Sequence, residues 1–363
     1  MRMIRLTILA LLMLFSCVRE AGMEPTGEEG GIPVRLVLCP DQGITKLAGM
    51  DYARDEGAVS HWAFFIFERS TGLLAGSGVA GREGAVTKTL RTGSFELFVM
   101  ANYPLSGPTA PNVAAIRTTS DFLRLTSSLS DNSPGSFVMA GMAGFMVTGD
   151  SQEVLDVQVR LQRLVVKVHL ESVLRCFDNA ALAARDLTLR HIYLTNVYPQ
   201  NRYCEDYSPG ELSALQGSWY NAMGWHHPEA MSADAATDAL LCERNLDIPL
   251  RQGVSVNVNR SLYSYPNPWD LEADSHDPQW AGGRCTRLIL ETELEGKTYY
   301  YQATLPSERN SVPLSRNRAF RVSCTLSRLG SRDPEEEVPD AMTVRIIPDE
   351  NAWERDYTII EES

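Results

Sequence analysis

The sequence predicts an all-β protein of two domains. Period-two alternation of apolar and polar residues, the pattern of half-buried strands, recurs along most of the chain. A chain of 363 residues, 44% hydrophobic and 22% charged, has enough apolar material for more than one core. The alternation also reverses phase once, in VLDVQVRLQRLVVKVHL: Leu155, Val157, Val159 and Leu161 share odd positions, whereas Leu164, Val166, Val168 and Leu170 share even ones. A one-residue slip exchanges the two faces of a strand, so the flip at Gln162-Arg163 marks a bulge or the passage of the chain from one sheet to another. The domain boundary is placed there, giving an N-terminal sandwich over 32–162 and a C-terminal one over 163–363.

The chain opens with MRMIRLTILALLMLFSCVRE, in which Arg2 and Arg5 precede an apolar run from Ile4 to Phe15. That run is shorter than the ~20 residues an anchor helix needs and fits the core of an export signal. Leu14-Phe15-Ser16-Cys17 looks like a bacterial lipobox, with residues 1–16 removed and the sulfur and new amino group of Cys17 acylated. The alternative is an ordinary secretory signal with an incidental cysteine. Several acyl chains, at ~0.8 kcal/mol per buried methylene, would tether a globule to a leaflet. Residues 17–31, acidic and Gly/Pro-containing, read as the flexible tether.

Strands then follow in order. IPVRLVLC places Ile32, Val34, Leu36 and Leu38 on one face. HWAFFIFE is apolar on both faces and belongs at the centre of a packed sheet, with its turn at Ser70-Thr71-Gly72, and FELFVMANYP continues the theme. Residues 104–153 read as Ser/Pro/Gly-rich loop with a short helix at DFLRLTSSL. Past the flip come LTLRHIYLTNVY, an irregular Trp/His/Pro-rich region from about 199 to 285, a hairpin RLILETEL-EGK-TYYYQATL turning at Gly296, and the strands AFRVSCTL and AMTVRII.

A net charge of −13, with no basic stripe to release phosphate counterions, argues against nucleic acid. Besides Cys17 there are six cysteines, Cys39, Cys176, Cys204, Cys242, Cys285 and Cys324, none in a CxxC, and most are expected to be reduced and partly buried. Catalytic constellations are thin. His226-His227 with Glu229 lacks the spacing that puts two imidazoles on one helical face. Asp270, Glu272, Asp274, His276 and Asp277 lack the turn glycine and terminal Glu of a calcium loop and read as a solvated acidic loop. No catalytic, cofactor or metal residue is assigned, and no enzymatic activity is expected. The aromatic run SWYNAMGWHH (Trp219, Tyr220, Trp225) could stack on sugar rings, so a glycan-binding surface lipoprotein that does not polymerise is the alternative function.

Seven landmarks in order, the lipobox, FFIFERSTG, GSFELFVMAN, VMAGMAG, RLVVK, YSYPN and RNRAF, together resemble the Bacteroidales fimbrillin family, the lipoprotein-derived subunits of type V pili. The acidic residues Glu20, Glu24, Glu28 and Glu29 behind Cys17 likewise resemble a surface-export signal of Bacteroidetes lipoproteins. The resemblance implies two transthyretin-like β-sandwich domains in tandem and a structural subunit of a cell-surface fimbria. It also implies an outer-membrane lipid anchor, an Arg-specific protease and other fimbrial subunits as partners, and adhesion as the outcome. In that family the protease removes the N-terminal strand and a terminal strand of a neighbouring subunit refills the groove. A sandwich missing an edge strand exposes unpaired backbone groups along an apolar cleft, which an alternating segment can fill. Arg54, in DYARDEGAVS, falls where the family is processed, whereas Arg35 lies inside the strand and would be poorly presented. The strand-exchange residues are then Val34, Leu36 and Leu38 on the removed strand and Val344, Ile346 and Ile347 on the C-terminal one, since Val344-Arg345-Ile346-Ile347 repeats the pattern of Val34-Arg35-Leu36-Val37. If TVRII is instead an ordinary internal strand of the second sandwich, the tail YTIIEES, with Tyr357 and Ile359 on one face, becomes the donor candidate.

Overall fold

Alternation becomes strand along most of the chain in the computed structural model, which describes residues 31–39, 56–81, 85–149, 154–208, 211, 220–221, 231–268, 285–305 and 314–349. The first half contributes β1 (Ile32–Cys39), β2 (His61–Glu68), β3 (Leu74–Gly81), β4 (Val86–Leu90), β5 (Gly93–Ala101), a short helix α1 (Thr119–Leu123), β6 (Thr126–Ser128), β7 (Met139–Val147), β8 (Leu155–Arg160) and β9 (Gln162–Arg163). They form a three-stranded sheet in the order β4-β1-β8 and a five-stranded sheet in the order β3-β2-β5-β7-β9. Ile32, Val34, Leu36, Val157 and Val159 from the first sheet share a core with Trp62, Phe64, Ile66, Leu97 and Val99 from the second. The two sheets come close at Gly141, where a Cβ would lie 2.3 Å from the Arg160 carbonyl oxygen and 2.8 Å from Val159 Cγ1.

β2 lies between β3 and β5, as its two apolar faces require. Its second face is closed by α1: Phe122 sets its ring 5.2 Å from Phe65 and 5.1 Å from Phe98. A capping box fixes α1, with Thr118 accepting from Asp121 N and the Asp121 carboxylate accepting from Thr118 N.

Two stretches expected to be irregular are ordered. MAGMAGFMV, read as loop, is strand β7. Within 199–285, β17 (Ser255–Ser264) is a ten-residue strand. Gly and Ala blur the alternation of β7, and Asn259 with φ +50° interrupts that of β17.

The second half continues with β10 (Val166–Arg175), α2 (Ala180–Ala183), β11 (Leu187–Thr195), β12 (Gln200–Arg202), β13 (Tyr220–Asn221), β14 (Met231–Ser232), α3 (Ala235–Leu241), β15 (Cys242–Glu243), β16 (Ile248–Pro249), β17, β18 (Thr286–Leu294), β19 (Lys297–Leu305), β20 (Ala319–Leu326) and β21 (Met342–Pro348). One sheet runs β17-β10-β20-β21 and the other β15-β11-β18-β19, with β16 also on β11. The β18–β19 hairpin turns on Glu295 and Gly296, both with positive φ, the two-residue turn that suits strand twist.

The phase flip has its physical counterpart here. The chain leaves the β4-β1-β8 sheet at Arg160, pairs with β7 through β9, and then enters the β17-β10-β20-β21 sheet at Val166. Leu161, Leu164 and Val165 are fully buried along that passage.

Candidate functional site

β1 was expected to be removable as an edge strand, but it lies at the centre of its sheet. It pairs antiparallel with β4 (Ile32↔Leu90 to Leu36↔Val86) and parallel with β8 (Val34↔Leu155 to Cys39↔Arg160). Val34 and Leu36 are 0% and 1% exposed, while Leu38 is half-buried towards the strand's end. A central strand completes two hydrogen-bond ladders and one row of the core. Its removal would therefore open a slot with unpaired backbone on both walls and apolar pockets on its floor. Arg35 points outward and makes a two-armed ion pair with Asp156 of β8, Nε donating to Oδ1 at 2.7 Å and Nη2 to Oδ2. The pair raises the Arg35 pKa and lowers that of Asp156, in both cases chiefly through the hydrogen bond between them.

Arg54 and Cys17 lie outside the described residues, but the segment just behind Arg54 is held tightly. Glu56 is buried; its carboxylate accepts from Lys167 Nζ at 2.8 and 3.0 Å and from the Tyr263 hydroxyl at 2.6 Å. Its backbone carbonyl accepts from Arg163 Nε at 2.9 Å. Arg163 in turn donates through N and Nη1 to Asn317 Oδ1, both at 3.1 Å, and Asn317 N donates to the Val165 carbonyl. Burial holds the Lys167 ammonium below the usual lysine value even with Glu56 beside it. Burial, reinforced by the Glu56 charge, pushes the Tyr263 hydroxyl well above the usual tyrosine value, so it remains a donor.

The landmark motifs therefore have a structural meaning. Arg163 and Lys167 of RLVVK, Tyr263 of YSYPN and Asn317 of RNRAF surround Glu56. Asn102 of GSFELFVMAN, with φ +54°, bonds the Ala58 and Phe137 carbonyls and accepts from Ser60 N. The Tyr265 hydroxyl lies 2.9 Å from Ser127 Oγ and Ser128 O, next to the β6–β12 pair that joins the two halves of the chain. Sequence reasoning missed Glu56 and Asp156. The available signal for Glu56 was Lys167, a lone charge in the apolar run LVVKV that needs a buried counter-charge.

At the other end, β21 is an edge strand, paired antiparallel with β20 from Met342↔Leu326 to Phe320↔Pro348. Ile346 is buried, Val344 and Ile347 are half-buried, and Arg345 is exposed. TVRII is thus a strand of the second half here, held on one side only. The tail YTIIEES lies outside the described residues. So do Trp219, Trp225, His226, His227, Glu229 and the acidic residues 270–277; Tyr220 is half-buried and bridges to Val197. Among the described residues there is no cluster of three or more His, Cys, Asp or Glu able to hold a metal, and no helix long and apolar enough to cross a membrane. The six cysteines there are thiols. Burial pushes Cys204, Cys242 and Cys324 up to about 12.

No protein-family model and no curated protein matches the sequence. Solved structures do match. The fimbrilin FimA of Porphyromonas gingivalis W83 aligns with a TM-score of 0.61 at 12% identity, over 88% of this chain and 97% of that one. This chain has the fimbrilin fold. The same fold relates it to a protein of Bacteroides eggerthii assigned provisionally to cell adhesion (TM-score 0.62, 18% identity, 88% and 95% covered). It also relates it to the tip fimbrial protein Mfa3 of Porphyromonas gingivalis with a C-terminal truncation (TM-score 0.50, 16% identity, 87% and 99% covered). The shared fold thus spans nearly the whole of the matched chains.

Proposed function

We propose that this chain is a structural subunit of a cell-surface fimbria that supports adhesion. In this reading it is exported as an outer-membrane lipoprotein through Cys17 and polymerises by strand exchange after an Arg-specific protease cuts at Arg54. The observation that carries the reading is the place of β1: a central strand, reached through a polar link, whose loss leaves two open ladders over an apolar floor. The fimbrial and adhesion proteins with which it shares its fold support the same reading.

Chain order makes one cut do two things. Everything from Cys17 to Arg54 lies on one side of it, so cleavage releases the subunit from its lipid and frees β1 to leave the groove. Glu56, two residues downstream, keeps the new terminus fixed through Lys167, Tyr263 and Arg163, so the remaining fold is not unravelled from that end. The division into units 32–162 and 163–363 follows the same logic, with the groove in the first and the donor strand in the second. Electron microscopy of the full-length protein after Arg-specific proteolysis tests the proposal. Filaments are expected from wild type and none from Arg54→Ala. A cleaved product that has lost residues 32–39 yet stays monomeric at high concentration would contradict it.

A further inference from the structure

The apolar floor of the β1 groove cannot by itself fix where an incoming strand stops. Val34, Leu36 and Leu38 repeat every two residues, so a strand displaced by two residues presents the same kind of side chain to the same pockets. The outer face is not repetitive. Along β8 the outward residues are Asp156, Gln158 and Arg160, which stand beside Arg35, Val37 and Cys39 of β1. An arginine on the incoming strand therefore meets an acid in one register, an amide after a shift of two and a like charge after a shift of four.

Resting on the strand-exchange reading above, we propose that Asp156 sets the register in which a second copy of this chain is received. It takes Arg345 of that copy's C-terminal strand where it holds Arg35 in the intact subunit. Arg345 is flanked by Val344 and Ile346 as Arg35 is flanked by Val34 and Leu36, so the two apolar side chains enter neighbouring pockets when the charges meet. Because the Val-Arg-Ile triplet is apolar on both sides of the arginine, the match holds for either strand direction. In the intact subunit Arg345 is exposed on an edge strand and has no ion-pair partner among the described residues, whereas Arg35 is engaged by both oxygens of Asp156.

The test compares four full-length proteins after Arg-specific proteolysis, following filament growth by light scattering and electron microscopy. They are wild type, Arg35→Asp with Asp156→Arg, Arg345→Asp, and the triple variant that combines all three changes. The first variant keeps its ion pair, reversed, in the intact subunit. Melting of all four uncleaved proteins, with Asp156→Asn plus Arg345→Gln as a neutral reference, separates assembly from folding. Either half-reversed protein places like charges together and is expected to grow about fivefold slower or more, with recovery in the triple variant. Half-reversed proteins that assemble as fast as the neutral reference, or a triple variant that does not recover, would overturn the role of Asp156 while leaving strand exchange standing. A cleaved wild type that does not assemble would remove the strand-exchange reading and this inference with it.

Discussion

Glu56 is the residue on which the junction turns. A carboxylate and an ammonium with side chains 8% and 3% exposed hold each other in a site that excludes water. Removing one partner leaves the other charge buried without compensation, at a cost of about 3–5 kcal/mol. Glu56→Gln is therefore expected to lower the unfolding free energy by that order in denaturant titrations, and Glu56→Gln with Lys167→Met to recover most of it. His169 gives the protein an acid-sensitive element. Its Nδ1 lies 2.9 Å from Ser261 Oγ. Burial first, and the Lys167 charge second, lower its pKa. Since the unfolded imidazole titrates near ~6.5, the unfolded chain takes the proton first on acidification. Stability from this residue is full above that pH and falls as pH drops towards the depressed folded value. His169→Gln should flatten unfolding free energy against pH in that window. Thiol chemistry reads burial directly: in native protein Cys39 and Cys176 should react with an aromatic disulfide reagent well before Cys242, Cys285 and Cys324, and all should react alike in denaturant.

At the scale of elements, β7 is built for close approach. Gly141→Ala would drive a methyl group into the Arg160 backbone, with an expected loss of about 1–3 kcal/mol in thermal or denaturant unfolding. The edge position of β21 makes the opposite forecast for truncation. Deleting the chain from Thr343 onward forfeits chiefly the burial of Ile346, worth ~1.5–3 kcal/mol, so the protein should remain folded, accept a donor and fail to give one. Unfolding of the second half on that deletion would show that β21 is indispensable where it sits. These elements also mark how far the sequence could be read. β1, β2, β5, β11 and the β18–β19 hairpin were legible because large side chains alternate or fill both faces and their turns carry Gly. β3 (LAGSGVAG) and β7 were not, because glycine removes the side chains that carry the pattern. At Gly78, for example, a Cβ would lie 2.7 Å from the Phe64 ring.

For the whole molecule, the phase flip at Gln162-Arg163 left a bulge or a change of sheet open, and the topology decides for the change of sheet, by the route through β9. The candidate groove was half legible. The alternation of β1 named its inward residues, but its central place depends on β8, which returns from more than a hundred residues away to lie parallel to it. No local pattern encodes such a pairing. The same holds for Glu56 and Asp156, each of which acquires its meaning from a distant partner. The central claim is that β1 fills a slot which a neighbouring subunit later occupies, and backbone hydrogen exchange of β4 and β8 tests it most directly. Amides in 86–90 and 155–160 should be protected in the intact subunit, exchange rapidly after Arg-specific cleavage and loss of residues 32–39, and regain protection in the assembled fibre. Protection that survives the loss of β1 in the monomer, or rapid exchange that persists in the fibre, would contradict the account.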